Sequence, residues 1–226
     1  MRIDILTLFP EMFTPLQTSV IGKASEKDIL QINIHDIRAY TLDKHHKCDD
    51  TPFGGGAGMV MMAQPIVDAI RSIDKDHEAL RIYMSPKGQT LNMVMVKEFA
   101  SISTNRLLIL CGHYEGVDQR ALDLCIDREI SIGDYVLTGG EIPAMALVDS
   151  VCRYVDGVLG SNESVAEESF SENLLEYPQY TRPQVYEGIA VPDVLLSGHH
   201  KNISKWRREQ ALEITKRLRP DLLEKK

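Results

Sequence analysis

Glycine recurs in three short stretches, the last two of which also carry carboxylates: SPKGQ (Ser85 to Gln89), CGHYEGVD (Cys111 to Asp118) and SIGDYVLTGGE (Ser131 to Glu141). Gly88, Gly112, Gly116, Gly133, Gly139 and Gly140 would let a ligand lie against backbone amides and carbonyls, which read a flat heterocycle by hydrogen bonds. The charges beside them are Glu115, Asp118, Asp134 and Glu141 against only Lys87 and His113. That balance repels a triphosphate and suits a neutral or cationic ligand. The signatures GxxxxGK(S/T), HExxH, GxSxG and a strand-to-helix GxGxxG are all missing. S-adenosylmethionine, with a flat adenine and a positive sulfonium, fits better than a nucleotide. Each loop alone is compatible with a plain tight turn; the weight comes from having three.

Loops of this kind need a scaffold that brings them together. Short β-branched or leucine-rich runs alternate with helical patterns: Arg2–Phe9 then Glu11–Glu26, Leu30–His35, Pro65–Ile73, Leu80–Met84 then Leu91–Ile102, Arg106–Cys111 then Asp118–Cys125, and Glu129–Leu137 then Ile142–Tyr154. This succession predicts an α/β domain with a mainly parallel sheet over residues 1–160. In such a sheet the ligand crevice lies at the carboxyl ends of the strands, so the three loops point to one shared site. Residues 161–176 turn polar and acidic and read as a flexible linker. Residues 177–226 form a smaller, mainly helical unit, in which Asn202 or Ser204 caps a helix that Pro220 stops.

The chain has 226 residues and a net charge of −8, with 43% hydrophobic residues. No apolar run approaches the roughly 20 residues of a membrane span, which predicts a cytoplasmic protein. Cys48, Cys111, Cys125 and Cys152 contain no CxxC pair, which argues against a zinc site and for reduced thiols. Residues 196–226 hold nine Lys and Arg against four Asp and Glu, whereas residues 1–195 hold 16 against 29. An acidic body with a basic tail suggests that the tail meets a polyanion, although an ordinary solvated helix has the same look. On a helical wheel Ile203, Trp206, Ala211, Ile214 and Leu218 share one side, and Lys205, Arg208, Lys216 and Arg219 the other. His199 and His200 have no metal-spacing partner and read as surface or RNA-contact residues, so no metal ligands are assigned.

FPEMF, DDTPFGGGAGMVM, SPKGQ, CGHYEGVD, SIGDYVLTGGE, DSVCRYVDGVLG, YPQYTRP and LLSGHH stand in that order along the chain. With these eight motifs the sequence resembles the bacterial tRNA (guanine-N1)-methyltransferase family over essentially its whole length. The resemblance implies a SPOUT-superfamily α/β domain with a parallel sheet and a trefoil knot, followed by a flexible linker and a small helical tRNA-binding domain. It also implies a homodimer with active sites between subunits, and methylation of N1 of guanine 37 in the tRNA anticodon loop with S-adenosylmethionine as donor. A magnesium requirement stays open.

Carried onto this sequence, the resemblance puts the donor on Met84, Ser85 and Pro86, on Gly112, Tyr114 and Glu115, and on Ile132, Gly133, Asp134, Tyr135, Val136, Leu137, Gly139, Gly140 and Pro143. Removing the N1 proton calls for a general base, and the charge that spreads to O6 calls for a cation. The family's linker aspartate falls on Glu168 of EESF, a longer carboxylate, and its arginine on Arg153 of SVCRY. Asp49, His199, Lys205 and Arg208 are assigned to tRNA. Two alternatives remain at this level: a knotted methyltransferase with another RNA acceptor, and a non-catalytic RNA-binding protein.

Overall fold

A computed structural model describes residues 1–159, 169–170 and 172–224. They belong to two compact units, Met1–Gly160 and Ser161–Lys226. In the first, β1 (Arg2–Thr7), β2 (Gln31–Asp36), β5 (Leu80–Thr90), β6 (Arg106–Cys111) and β7 (Arg128–Ser131) form a sheet in the order β2-β1-β6-β5-β7. Every neighbouring pair is parallel. The short strands β3 (Asp49–Asp50) and β4 (Val60–Met61) make a separate antiparallel pair.

A parallel strand covered on both faces is apolar throughout, and Leu107 to Leu110 of β6 are all fully buried. One face of the sheet, with Ile3, Ile5, Ile82, Leu107 and Ile109, packs against α1 (Ser19–Glu26), α3 (Met93–Ala100) and α5 (Glu141–Cys152). The other, with Leu6, Leu108 and Leu110, packs against α2 (Ala63–Ile73) and α4 (Gln119–Cys125). The four cysteines are buried thiols, and burial pushes Cys152 up to about 12. No described helix is long and apolar enough to cross a membrane.

Several boundaries differ from those expected of the sequence. The single helix expected over Glu11–Glu26 is a 3-10 helix, Pro10–Gln17, followed by α1. Pro15 lacks an N–H to donate, and Ser19 takes φ of 56°. Asn92 accepts from the N–H groups of Val94 and Met95, so α3 starts after it rather than at Leu91. β5 runs beyond Met84, with a register shift against β7 between Met84 and Gln89. The strand expected over Glu129–Leu137 ends at Ser131, because Ser131 Oγ closes a turn on the carbonyl and N–H of Gly133.

The second unit has a two-stranded hairpin, Val185–Tyr186 with Ile189–Ala190, a helical turn Asp193–Leu196, and a long helix His200–Leu218. That helix starts before the expected caps, since the N–H groups of Asn202 and Ile203 already reach His199 O at 2.9 and 3.0 Å. It ends ahead of Pro220. Ala211 and Thr215 are its buried residues. Leu218, expected on the packed side, is exposed; Thr215 Oγ1 takes the inner position, accepting from Leu175 N–H and donating to Ala211 O.

Candidate active site

β6, β5 and β7 are adjacent in the sheet, and the segments at their carboxyl ends line one cavity of ≈ 270 Å³. Met84, Ser85 and Pro86 contribute from β5. Gly112, Tyr114 and Glu115 follow β6. Ile132, Gly133, Tyr135, Val136, Leu137, Gly139, Gly140 and Pro143 come from the segment after β7. Asp134 lies in that segment but is exposed and does not line the cavity.

Local chemistry explains why these segments converge. After its turn at Gly133 (φ 150°), the chain leaves the edge strand β7 and docks on the tip of β6, past β5. There Gly139 bridges His113, and Gly140 N–H donates to Gly112 O at 2.8 Å. A Cβ on Gly140 would sit 2.8 Å from Cys111 Cα and Gly112 N, so only glycine permits this approach. α5 begins at once with Glu141, whose buried carboxylate accepts from Thr7 Oγ1 at 2.8 Å. Thr7 Oγ1 in turn accepts from Phe9 N–H. Glu141, read from sequence as a ligand-facing charge, is therefore an anchor between the start of α5 and the end of β1.

Four charged or titratable groups missed or left unassigned by sequence reasoning face the cavity: Lys87, His113, Glu129 and Tyr83. Burial pushes the Tyr83 phenol up to about 12, so at neutral pH it is a neutral hydroxyl. The His113 ring lies 4.8 Å from Phe9 and 5.1 Å from Tyr114, and its Nδ1 is buried with no partner among the described residues. Tyr114 takes φ of 58°, a left-handed conformation rare outside glycine. The glycine-rich loop after β3 closes one wall: Glu115 N–H donates to Met59 O, and the Glu115 side chain fills the space where a Cβ on Gly58 would be, 2.5 Å away.

The model of the family described as tRNA (Guanine-1)-methyltransferase matches residues 1–225. A Clostridium botulinum (strain 657 / Type Ba4) protein named tRNA (guanine-N(1)-)-methyltransferase is 60% identical over 225 residues, 100% of this chain and 92% of that protein. A protein of the same name from Clostridium tetani (strain Massachusetts / E88) is 55% identical over 224 residues, 99% of this chain and 92% of its own. This chain belongs to the tRNA (Guanine-1)-methyltransferase family.

Other residues singled out by the family resemblance lie elsewhere. Arg153 caps the carboxyl end of α5, twelve residues and so about 18 Å of helix from Glu141, and it does not line the cavity. Glu168 lies outside the described residues. Asp49 is in β3, paired with Met61, and is not a lining residue. His199, Lys205 and Arg208 are exposed in the second unit, where Arg208 pairs with Glu172 at 3.2 Å and Lys205 with Glu209 at 3.8 Å. Among the described residues no group of three or more His, Cys, Asp or Glu could hold a metal ion.

Proposed function

We propose that this chain is a cytoplasmic, S-adenosylmethionine-dependent enzyme that methylates N1 of guanine 37 in the tRNA anticodon loop. The observation that carries this reading is the convergence of three glycine loops on one cavity in a chain of this family. The cavity suits the donor. Its size approaches that of small-molecule sites, and its charged wall holds Glu115 and Glu129 beside Lys87 and His113. S-adenosylmethionine, when bound, supplies an electrophilic methyl group on a positively charged sulfur.

Met84 to Pro86, Gly112 and the Ile132 to Gly140 segment hold the adenosine against backbone, while Tyr114 and Glu115 close the side facing the Gly58 loop. Glu168 accepts the N1 proton, which frees the lone pair, and the Arg153 guanidinium stabilises the charge that spreads to O6. Glu168 is one methylene longer than the family's aspartate, a displacement of roughly 1 Å. The length of α5 between Arg153 and its own cavity supports a homodimer in which one copy's Arg153 serves the other's cavity. The path from β7 past β5 to the tip of β6 supports the trefoil knot. A single-stranded anticodon loop lets the target base splay out at little cost. The exposed Lys205 and Arg208, with His199, give the second unit a tRNA-facing surface beyond the acidic linker of residues 161–176, and Asp49 contacts tRNA from the first.

The test is transfer of labelled methyl to tRNA transcripts with and without guanine at position 37, alongside Glu168→Gln and Arg153→Ala. Both variants should keep donor affinity by calorimetry and lose about 10² to 10⁴-fold in transfer rate. Full activity in Glu168→Gln removes it as the base; transfer that ignores position 37 removes the proposed acceptor.

A further inference from the structure

Residues 44–47 read Lys-His-His-Lys, the one run of four consecutive Lys, Arg or His in the sequence, within an otherwise acidic first 195 residues. The run lies between the 3-10 helix Ile37–Tyr40, which follows the carboxyl end of β2, and β3. Its backbone is tied down. Asp43 Oδ1 accepts from the N–H groups of His45 (2.8 Å) and Lys47 (3.2 Å), Thr41 Oγ1 donates to Lys47 O (2.8 Å), and His46 Nδ1 lies 3.2 Å from Arg38 O. All four side chains are nevertheless exposed. Lys47 shares its charge with Asp50 at 3.3 Å, whereas Lys44 makes no ion pair among the described residues.

This turn stands beside the cavity. Met62 N–H donates to Cys48 O, Asp49 pairs with Met61, and Met61 bridges Val117, a cavity-lining residue. Two inter-strand spacings, about 10 Å, therefore separate Asp49, two residues past the basic run, from Val117 in the cavity wall. Between β3 and β4 the Phe53 ring is 100% exposed, and at the cavity rim Tyr114 is 47% exposed. Exposed aromatic rings and basic side chains on the same loop are the combination that holds single-stranded nucleic acid: phosphates on the basic groups, bases on the rings.

We propose that Lys44, His45 and His46 form the docking surface for the RNA phosphates that flank the base entering the cavity, with Phe53 as a stacking group for a neighbouring base. This rests on the reading under Proposed function and extends it from the target base to what holds its neighbours. Asp43 and Thr41 fix the backbone that carries the basic side chains. The acidic surface around them repels the backbone elsewhere, which sets the register of the strand.

The test uses the full-length protein carrying Lys44→Glu with His45→Ala, which leaves Asp43 and Thr41 intact. A charge-matched control is Lys75→Glu, an exposed residue at the opposite end of the sheet. Filter binding to an unmodified tRNA transcript is measured from about 50 to about 200 mM salt, where each lost phosphate contact should flatten the log–log slope by about 0.7. The double variant should raise KM for tRNA about tenfold, leave donor affinity and kcat within about twofold, and flatten the slope, while Lys75→Glu changes none of these. Unchanged KM and slope in the double variant overturn the docking surface even if methyl transfer is intact. An equal loss in Lys75→Glu reduces the effect to net charge and overturns it too. If the unaltered protein transfers no methyl group, the proposed function fails, and the filter-binding slopes still decide whether RNA docks here.

Discussion

At the amino ends of β5 and β6, Asp74 is 1% exposed and its carboxylate is fully engaged: Oδ1 accepts from the N–H groups of Glu78 and Ala79, and Oδ2 from Arg81 Nε at 2.7 Å. Arg81 Nη2 also donates to Asp74 O, and Arg106 Nη1 to Glu78 at 2.6 Å; only Arg106 Nε is left without a partner there among the described residues. At the carboxyl ends of the same strands, Tyr114, Gly116 and Gly133 take positive φ, His113 Nδ1 has no partner, and Val136 is 82% exposed. Each end has one buried unpaired nitrogen and positive φ outside glycine, at His77 and Asn105 on the closed end and at Tyr114 on the other. The difference is that one end closes the sheet with ion pairs, whereas the other leaves glycine turns and apolar surface around a cavity, which is where binding sites are made.

If the two ends divide stability from ligand binding in this way, the largest effect on folding should come from Asp74→Ala. It leaves the Arg81 guanidinium buried without its partner, which costs about 3–5 kcal/mol. Urea unfolding should show that loss, while calorimetry on the folded protein shows donor affinity unchanged. A fall in affinity that tracks the fall in stability would break the division.

A smaller effect follows from Asp4, buried in β1. Burial pushes its carboxyl up, but hydrogen bonds from His35, Arg2 and Asn33 outweigh that and bring it down from 3.8 to about 2. A carboxyl depressed on folding stabilises the native state above its unfolded value and loses that contribution as pH falls through the folded one. Stabilisation on the order of 2 kcal/mol should therefore be complete above about pH 5 and disappear towards pH 2. Urea midpoints measured across that window should fall for the unaltered protein and fall less steeply for Asp4→Asn. Parallel profiles would mean that the Asp4 cluster does not couple folding to protonation.

The stabilising part of this contrast was legible in the sequence, because it rests on periodicity. RLLILC, a short apolar run, reads as a strand because it alternates with helical patterns, and that alternation predicts a mainly parallel sheet. The open end was legible only as glycine spacing. SIGDYVLTGGE reads as strand through Leu137 because Ile132, Tyr135 and Val136 have β propensity, yet Ser131 Oγ closes a turn on Gly133; Tyr135 and Val136 then line the cavity, and Ile132 both lines it and packs against the core. Glu141 looked like a ligand-facing acid, and its anchoring by Thr7, 134 residues away in sequence, is a tertiary contact that no local pattern reveals. His113 stood in plain view between Gly112 and Tyr114, but its unpartnered nitrogen appears only once Phe9 and Tyr114 pack around the ring.

His113 gives the finest division of the two properties, with the smallest expected change in stability. His113→Phe keeps a ring between Phe9 and Tyr114 and removes a buried nitrogen that no described residue satisfies. Loss of an unsatisfied polar atom costs the fold nothing in hydrogen bonding, so stability should stay within about 1 kcal/mol of the unaltered protein, or rise. The His113 ring also lines the cavity, so loss of its polar edge should lower donor affinity or transfer rate about three- to tenfold. His113→Asn is the complementary change: it restores a side-chain donor and acceptor but gives up the stacking, so it should lose stability while recovering part of the activity. Phe at wild-type activity would make the unpaired nitrogen a packing defect, and the open end would then owe its binding to backbone and shape alone.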